Sequence, residues 1–130
     1  MIWLTSGLPA DQDAQTFFTV WKPRAFGWTL AEGFYRRFHG ESDTVTLCQV
    51  IVMIAPSSRV FVLRALPFQD TDADVPTVTT WSLRDVTDVD GDGLPDAVIQ
   101  ADAYEDHWFE VYSIQSGTPH MIFSGLGYYL

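Results

Sequence analysis

The chain has 130 residues, of which 47% are hydrophobic and 15% aromatic, so it can bury one core and does not have the composition of a disordered protein. Its net charge is −10, and the acidic excess lies in the second half: residues 1–65 contain five acids and six bases, whereas residues 66–130 contain twelve acids and Arg84 alone. This charge predicts no nucleic-acid partner, no apolar run reaches the ~18 residues of a membrane span, and the single cysteine excludes an internal disulfide.

The N-terminal part, residues 1–43, is aromatic and irregular. Prolines and glycines interrupt it, which predicts short strands and packed loops. One short helix is predicted from Leu30 to Phe38, because Leu30, Phe34 and Phe38 recur every four residues and would share one helix face. Gly33 disfavours that helix.

Residues 44–66 are predicted to form a β-hairpin. Two runs rich in Val, Ile, Thr and Phe, Thr44–Ile54 and Arg59–Leu66, flank the turn sequence Pro56-Ser57-Ser58. The first run is apolar almost throughout, which is typical of a central strand covered on both faces. Cys48 lies in this run and is predicted to be a buried, inert thiol.

An acidic segment, Gln69–Pro76, follows the hairpin. It alternates aspartates with small residues and superficially resembles a calcium loop. However, Val75 stands where such a loop has glycine, and Val78 stands where its last acid would be. The segment is therefore predicted to be an exposed loop.

A second acidic segment lies after a predicted strand from Val78 to Arg84. Residues 88–96 read Asp-Val-Asp-Gly-Asp-Gly-Leu-Pro-Asp, with carboxylates at positions 1, 3, 5 and 9 (Asp88, Asp90, Asp92 and Asp96) and Gly93 at position 6. Calcium takes about 6–8 oxygen ligands, so it needs carboxylates that converge from a short, sharply curved segment. Without a cation these four aspartates would repel one another. The sequence therefore predicts a Ca²⁺ site that contributes to folding, in preference to an empty acidic turn.

Other metal sites fit this sequence poorly. The twelfth residue counted from Asp88 is Ile99, where an EF-hand loop has a bidentate Glu, and the same position argues against dockerin-type and thrombospondin type-3 loops. Zinc is disfavoured because Cys48 is the only cysteine and the three histidines are scattered.

The pattern Asp-x-Asp-x-Asp-Gly-x-x-Asp leading into a β-strand resembles the calcium loop of FG-GAP/VCBS-type repeats, which occur in integrin-like propeller blades. The resemblance covers roughly residues 78–123. It implies a β-hairpin loop in which Asp88, Asp90, Asp92 and Asp96 ligate calcium through their side chains and Leu94 ligates it through its backbone carbonyl. Pro95 would help to hold that carbonyl.

A third polar cluster, Asp102, Glu105, Asp106 and His107, lies between predicted strands at Ala97–Ala101 and Trp108–Ile114. In a meander this connection is at the opposite end of the strand from the calcium loop. His107, Glu105 and Asp106 are weak candidates for acid–base catalysis. An acidic surface turn is favoured, because no nucleophile, oxyanion-binding motif or phosphate loop accompanies them.

These elements predict a mainly β fold: a single antiparallel domain of seven or eight strands, blade-like in its C-terminal half from residue 78 to 123, with one short helix. An α+β arrangement is the alternative. The favoured function is a non-catalytic, calcium-stabilised β module, with an extracytoplasmic location slightly favoured because calcium is abundant there. The alternatives are an acidic protein-interaction or inhibitor domain with a protein partner, and a small hydrolase that uses His107 and the neighbouring carboxylates.

Overall fold

Nine β-strands in two antiparallel sheets make up the part of the chain that the structure describes, residues 2–4, 14–23, 27–40, 42–114 and 117–129 of a computed structural model. The first sheet has strands hydrogen-bonded in chain order: β1 (Ile2–Leu4), β2 (Ala14–Trp21), β3 (Thr29–Phe38), β4 (Thr44–Ile54) and β5 (Val60–Asp72). The second sheet continues in the same way: β6 (Thr80–Thr87), β7 (Asp96–Ala103), β8 (Asp106–Ser113) and β9 (His120–Tyr129). The mainly β prediction is confirmed.

The main core lies where the inner faces of the two sheets pack together. Leu30, Ile51 and Met53 from the first sheet are fully buried in the same cluster as Ala97 and Ile99 from the second. Along β4 the burial alternates residue by residue, as expected for a strand with one face toward the core. The fold is therefore a two-layer arrangement of antiparallel meanders.

The helix predicted from Leu30 to Phe38 is wrong, because these residues form β3. Residues four positions apart share a face in a strand as well as in a helix, so the spacing of Leu30, Phe34 and Phe38 fits both. The strand is stabilised by backbone pairing on both sides, with β2 and with β4. No described residue is helical, so no described helix is long or apolar enough to cross a membrane.

The predicted hairpin is present as β4 and β5, but β5 is longer than expected. It extends to Asp72, so the first part of the acidic segment Gln69–Pro76 is strand and only its remainder is loop. In that loop Asp72 Oδ1 accepts hydrogen bonds from the amides of Asp74 and Val75, at 2.8 and 2.9 Å. This local turn needs no metal ion.

β4 is central, as predicted, but it is not covered on both faces. The face opposite the core is partly exposed in this chain, and Val50 on that face is 36% exposed. Cys48 lies on the same face and is half-buried, not fully buried as predicted.

Side chains from the first sheet fix the edge strand β6. Gln49 on β4 donates a hydrogen bond to the carbonyl of Trp81 and accepts one from its amide at 2.8 Å. Glu32 on β3 accepts from the amide of Leu83 at 3.2 Å, and burial raises the pKa of this carboxyl. These bonds satisfy backbone groups at the edge of β6. They also place the loop that follows β6.

The second sheet contains the four strands predicted after residue 78. β8 and β9 pair as far as Asp106 opposite Tyr129, so the C-terminal tail is part of the sheet. The predicted cluster of Asp102, Glu105, Asp106 and His107 lies at the β7–β8 turn. Because β7 has eight residues, this turn is roughly 23 Å from the β6–β7 loop.

Candidate metal centre

The loop of residues 88–95 joins β6 to β7 and is closed by a backbone pair between Thr87 and Asp96. All four predicted acidic ligands lie in it or at its end. The alternating aspartates do not extend as a strand, because their side chains hydrogen-bond the loop's own amides.

Asp88 is the acceptor around which the loop turns. Its Oδ1 accepts hydrogen bonds from the amides of Gly91 at 2.8 Å and Asp92 at 3.2 Å, and its Oδ2 accepts from the amide of Gly93 at 2.8 Å. These hydrogen bonds lower the pKa of the Asp88 carboxyl, and the bond from Gly93 has the largest effect. Asp88 therefore remains an anion at neutral pH.

The two glycines of the loop have left-handed backbone conformations. The φ angle is +77° at Gly91 and +84° at Gly93. An added Cβ would meet no atom within 4 Å at either position, so the requirement for glycine comes from the backbone angle and not from crowding. The prediction that Gly93 provides the sharp curve agrees with this geometry.

Asp96 is the most unusual acid in the loop because it is fully buried. Its Oδ2 accepts hydrogen bonds from the amides of Val89 at 2.8 Å and Asp90 at 3.4 Å. Its Oδ1 is also buried and has no hydrogen-bond partner. A buried carboxylate oxygen needs a partner, which a bound cation or an ordered water can supply.

Three of the predicted ligands, Asp88, Asp90 and Asp96, come together. Each offers a carboxylate oxygen, and these oxygens all lie within 4.8 Å of one another. Two oxygens on one calcium ion can be no more than about 5 Å apart, since each bond is about 2.3–2.6 Å long. The three aspartates could therefore hold a metal ion. The pKa of Asp90 is raised, first by desolvation and then by the neighbouring acids, as expected for carboxylates that crowd one position.

Asp92 lies outside this group of three. Its Oδ1 accepts a hydrogen bond from the amide of Leu94 at 2.8 Å, while its Oδ2 is buried and has no partner. Asp92 thus has one carboxylate oxygen free for a ligand bond, like Asp96. Pro95 is fully buried between Leu94 and Asp96 and anchors the end of the loop.

The sequence does not reveal how Asp96 is held. The amides of Val89 and Asp90 donate hydrogen bonds to it from the other side of the loop, and the residue types at these two positions do not predict that contact. Only the position of Asp96, directly before an apolar strand, suggests that it enters the core.

The predicted catalytic candidates lie at the β7–β8 connection, where Glu105 is in the turn and Asp106 and His107 begin β8. Glu105 has φ +61° and stands in a two-residue β-turn, and Asp102 lies opposite His107 in the hairpin and accepts a hydrogen bond from Gln100 at 2.8 Å. Three cavities of about 270–310 Å³ lie among the described residues; Asp102 lines one of them, but His107, Glu105 and Asp106 line none of the three.

Comparison with known proteins gives no match: no family model fits the chain, and no curated protein or solved structure is significantly similar to it. The resemblance of the loop to FG-GAP/VCBS-type repeats therefore stays a prediction from the loop's own residues.

Proposed function

We propose that this chain is a non-catalytic calcium-binding module, whose β6–β7 loop binds one Ca²⁺ and is stabilised by it. The observation that carries the proposal is Asp96, a fully buried carboxylate with one unpartnered oxygen beside the oxygens of Asp88 and Asp90. A divalent cation would give that oxygen its missing partner and offset the repulsion within the loop.

The ligand chemistry favours calcium over other metals. The loop offers carboxylate oxygens and backbone carbonyls, which hard cations prefer to the nitrogen and sulfur ligands of zinc. Magnesium keeps several waters and usually takes only one or two carboxylates. We assign side-chain ligation to Asp88, Asp90, Asp92 and Asp96, and carbonyl ligation to Leu94.

The structural consequence of binding would extend into the core. Asp96 is the first residue of β7, and the next residue, Ala97, is fully buried in the main hydrophobic cluster. An ion that neutralises Asp96 therefore stabilises the start of a central strand of the second sheet. Because the unfolded chain does not hold the ligands together, binding energy would appear directly as folding stability.

Calcium titration and thermal unfolding test this proposal. After exhaustive chelation, isothermal titration calorimetry should give one site for Ca²⁺ per chain. Calcium at one hundred times the Kd should stabilise the fold by about 2.7 kcal/mol, or roughly 10 °C in melting temperature for a chain of this size. Magnesium at the same concentration should have a smaller effect.

Two substitutions locate the site. Asp92→Ala should weaken calcium binding, and Asp96→Asn should weaken it more, because it removes the buried charge while keeping the size of the side chain. Asp74→Ala is the matched control, since Asp74 is an exposed acid in the metal-free turn after β5. A melting temperature that ignores both calcium and chelator would refute the proposal.

A catalytic role has less support than this binding role. Glu105 lies in a tight hairpin turn and His107 lies in β8 beside it, and neither lines any of the three cavities, whereas enzymes need a concave site for their substrate.

A further inference from the structure

A cavity of about 310 Å³ lies in the corner between the two sheets, and we call it the corner cavity. It is at the end of the second sheet where Thr80 pairs with Asp102, whereas Thr87 pairs with Asp96 at the metal loop. The step from Asp96 to Asp102 along β7 spans about 20 Å. The corner cavity is therefore separate from the candidate metal centre.

Two sheet faces form the corner cavity where the edge of β6 meets the first sheet. One wall is the inner face of β3, with Phe34 and Arg36. The other wall includes Thr80 and Asp102 of the second sheet. Ile99 is fully buried in the main core, so Asp102, three positions later on β7, lies on the opposite face of the sheet. Side chains of the two sheets thus meet outside the main core.

The lining of the corner cavity is mostly apolar but includes charges of both signs. The apolar part contains Phe34, Phe38, Val45, Leu47 and Val78, most of them from the second hydrophobic cluster. The charged part contains Arg36, Asp72 and Asp102. An apolar cavity with a small number of polar groups is the usual form of a small-molecule site.

Arg36 is held at the wall without a charged partner. Its Nη2 donates a hydrogen bond to Oε1 of Gln15, and its Cζ lies 5.2 Å from the centre of the Phe38 ring. Its Nε is buried and has no hydrogen-bond partner, and no described acid forms an ion pair with it. The guanidinium is therefore fixed in place and retains donors for an anion, and its planar shape suits a carboxylate.

The acids of the lining favour a ligand that also carries a positive charge. With two acids and one base in the lining, a simple anion at Arg36 would be repelled by its surroundings. Asp102 is half-buried and Asp72 is exposed, so Asp102 would attract an ammonium group more strongly. Gln100 donates a hydrogen bond to Oδ1 of Asp102 at 2.8 Å and orients this carboxylate.

The size of the corner cavity limits the ligand. An apolar cavity of about 150 Å³ holds benzene, so a volume of about 310 Å³ accommodates roughly twice as many atoms, the size of phenylalanine. A sphere of this volume is about 8 Å across, so charges on opposite walls are too far apart for a direct ion pair of about 4 Å. One α-amino acid, with its carboxylate and ammonium on neighbouring atoms, can bridge them.

We infer that the corner cavity binds a free apolar α-amino acid as its zwitterion. Arg36 binds the carboxylate, Asp102 binds the ammonium group, and the side chain packs against Phe34. This inference does not depend on metal binding, because the two sites lie at opposite ends of β7.

Isothermal titration calorimetry with L-phenylalanine tests the inference. The unchanged chain should bind one molecule per chain with a Kd below about 1 mM, which a ligand of this size reaches at ordinary ligand efficiency. L-phenylalaninamide lacks the carboxylate and 3-phenylpropanoate lacks the ammonium group, so each should bind at least about 10-fold more weakly. Glycine lacks the apolar side chain and should bind more weakly than L-phenylalanine by a similar factor or more.

Two substitutions test the assigned contacts. Arg36→Met and Asp102→Asn should each raise the Kd for L-phenylalanine by about 10-fold or more, because each removes one charge that the zwitterion pairs with. Arg59→Met and Asp85→Asn are the matched controls, since they remove the same charges from exposed positions that do not line the corner cavity. Both controls should leave the Kd unchanged within about 2-fold. Circular dichroism should show that all four variants retain the β fold.

NMR of the unchanged chain locates the ligand without any substitution. On addition of L-phenylalanine, the amide chemical shifts of Arg36, Leu47 and Thr80 should change, and those of residues 88–95 should not.

Three results would overturn the inference. One is a chain that binds none of L-phenylalanine, L-leucine and L-methionine at 10 mM ligand. Another is an amide or a propanoate analogue that binds as tightly as L-phenylalanine, which would show that the charge it lacks is not recognised. A third is a set of shift changes that lies away from the corner cavity.

Discussion

Gly93 shows how a single residue can limit the conformation of the whole loop. Its φ of +84° lies in the left-handed region, and its amide donates to Asp88 at the same time. A side chain at this position would either shift the backbone, and with it the Asp88 contact, or accept the strain of a positive φ.

Gly93→Ala should therefore lower the free energy of unfolding by about 1–2 kcal/mol, even though no atom crowds the position. Gly93→Asn should lower it less, because asparagine tolerates the left-handed region better than alanine does. Urea unfolding in saturating calcium measures both. Equal losses for Ala and Asn would mean that the backbone angle is not the controlling factor.

At this scale the sequence was informative about which residues form the loop and less informative about their roles. The spacing of the aspartates predicted four acidic ligands, and the structure brings three of them together, Asp88, Asp90 and Asp96. Asp92 looked equivalent to them in spacing, but the backbone turns its Oδ1 toward the amide of Leu94. Such a difference depends on local dihedral angles, which the residue types do not determine.

At the scale of elements, a partly buried ion pair connects the two sheets. Arg64 on β5 donates two hydrogen bonds, of 2.8 and 2.7 Å, to the two carboxylate oxygens of Glu110 on β8, which is 1% exposed. Trp108 and Tyr112 donate to the same carboxylate at 3.0 Å each. Burial alone would raise the pKa of Glu110, but these donors outweigh it and lower the pKa below its usual 4.5. Burial and the charge of Glu110 raise the pKa of Tyr112 to about 12.

Glu110→Gln should lower the free energy of unfolding at pH 7 by about 3 kcal/mol, because Arg64 loses its counterion while still packed against the Trp81 ring. Because the folded-state pKa of Glu110 is lowered, its contribution is fully present above pH ~4.5 and is lost as the pH falls through the folded value. The variant should therefore lose less stability on acidification than the unchanged chain. Urea unfolding at pH 7, 5 and 3 gives both quantities.

The double variant Arg64→Met with Glu110→Gln distinguishes a lost charge pair from lost hydrogen bonds. It leaves no unpaired charge and keeps an acceptor for Trp108 and Tyr112, so it should be more stable than Glu110→Gln alone. A double variant that is less stable than the single one would contradict this account.

Secondary-structure elements were predictable from the sequence wherever the residue pattern fitted a strand better than a helix. The hairpin β4–β5 and the meander β6–β9 follow runs of β-branched residues bounded by turn signals, and the structure contains them. β3 was not predictable in this way, because a spacing of four residues is compatible with both a helix and a strand. Pairing between Arg64 and Glu110 joins residues 46 positions apart, and nothing local in either segment indicates it.

At the scale of the whole molecule, the net charge of −10 opposes folding in the absence of metal. The acids are concentrated in the second sheet and its loop, so their repulsion acts over short distances there. Salt screens exposed charges within a Debye length of about 10 Å at 0.1 M, compared with about 30 Å at 0.01 M. The Arg64–Glu110 pair is partly buried, so salt weakens this attraction less than it weakens the surface repulsion.

The melting temperature of the calcium-free chain should therefore rise, by about 5 °C, when sodium chloride is increased from 10 to 300 mM. Choline chloride should have the same effect, because the mechanism is screening and not specific binding of sodium. In saturating calcium the increase should be smaller, since the proposed ion would already neutralise the closest group of carboxylates, Asp88, Asp90 and Asp96. Differential scanning calorimetry at 10 and 300 mM sodium chloride, each with and without calcium, measures both increases in melting temperature. An equal salt effect with and without calcium would show that the loop is not where the repulsion is concentrated.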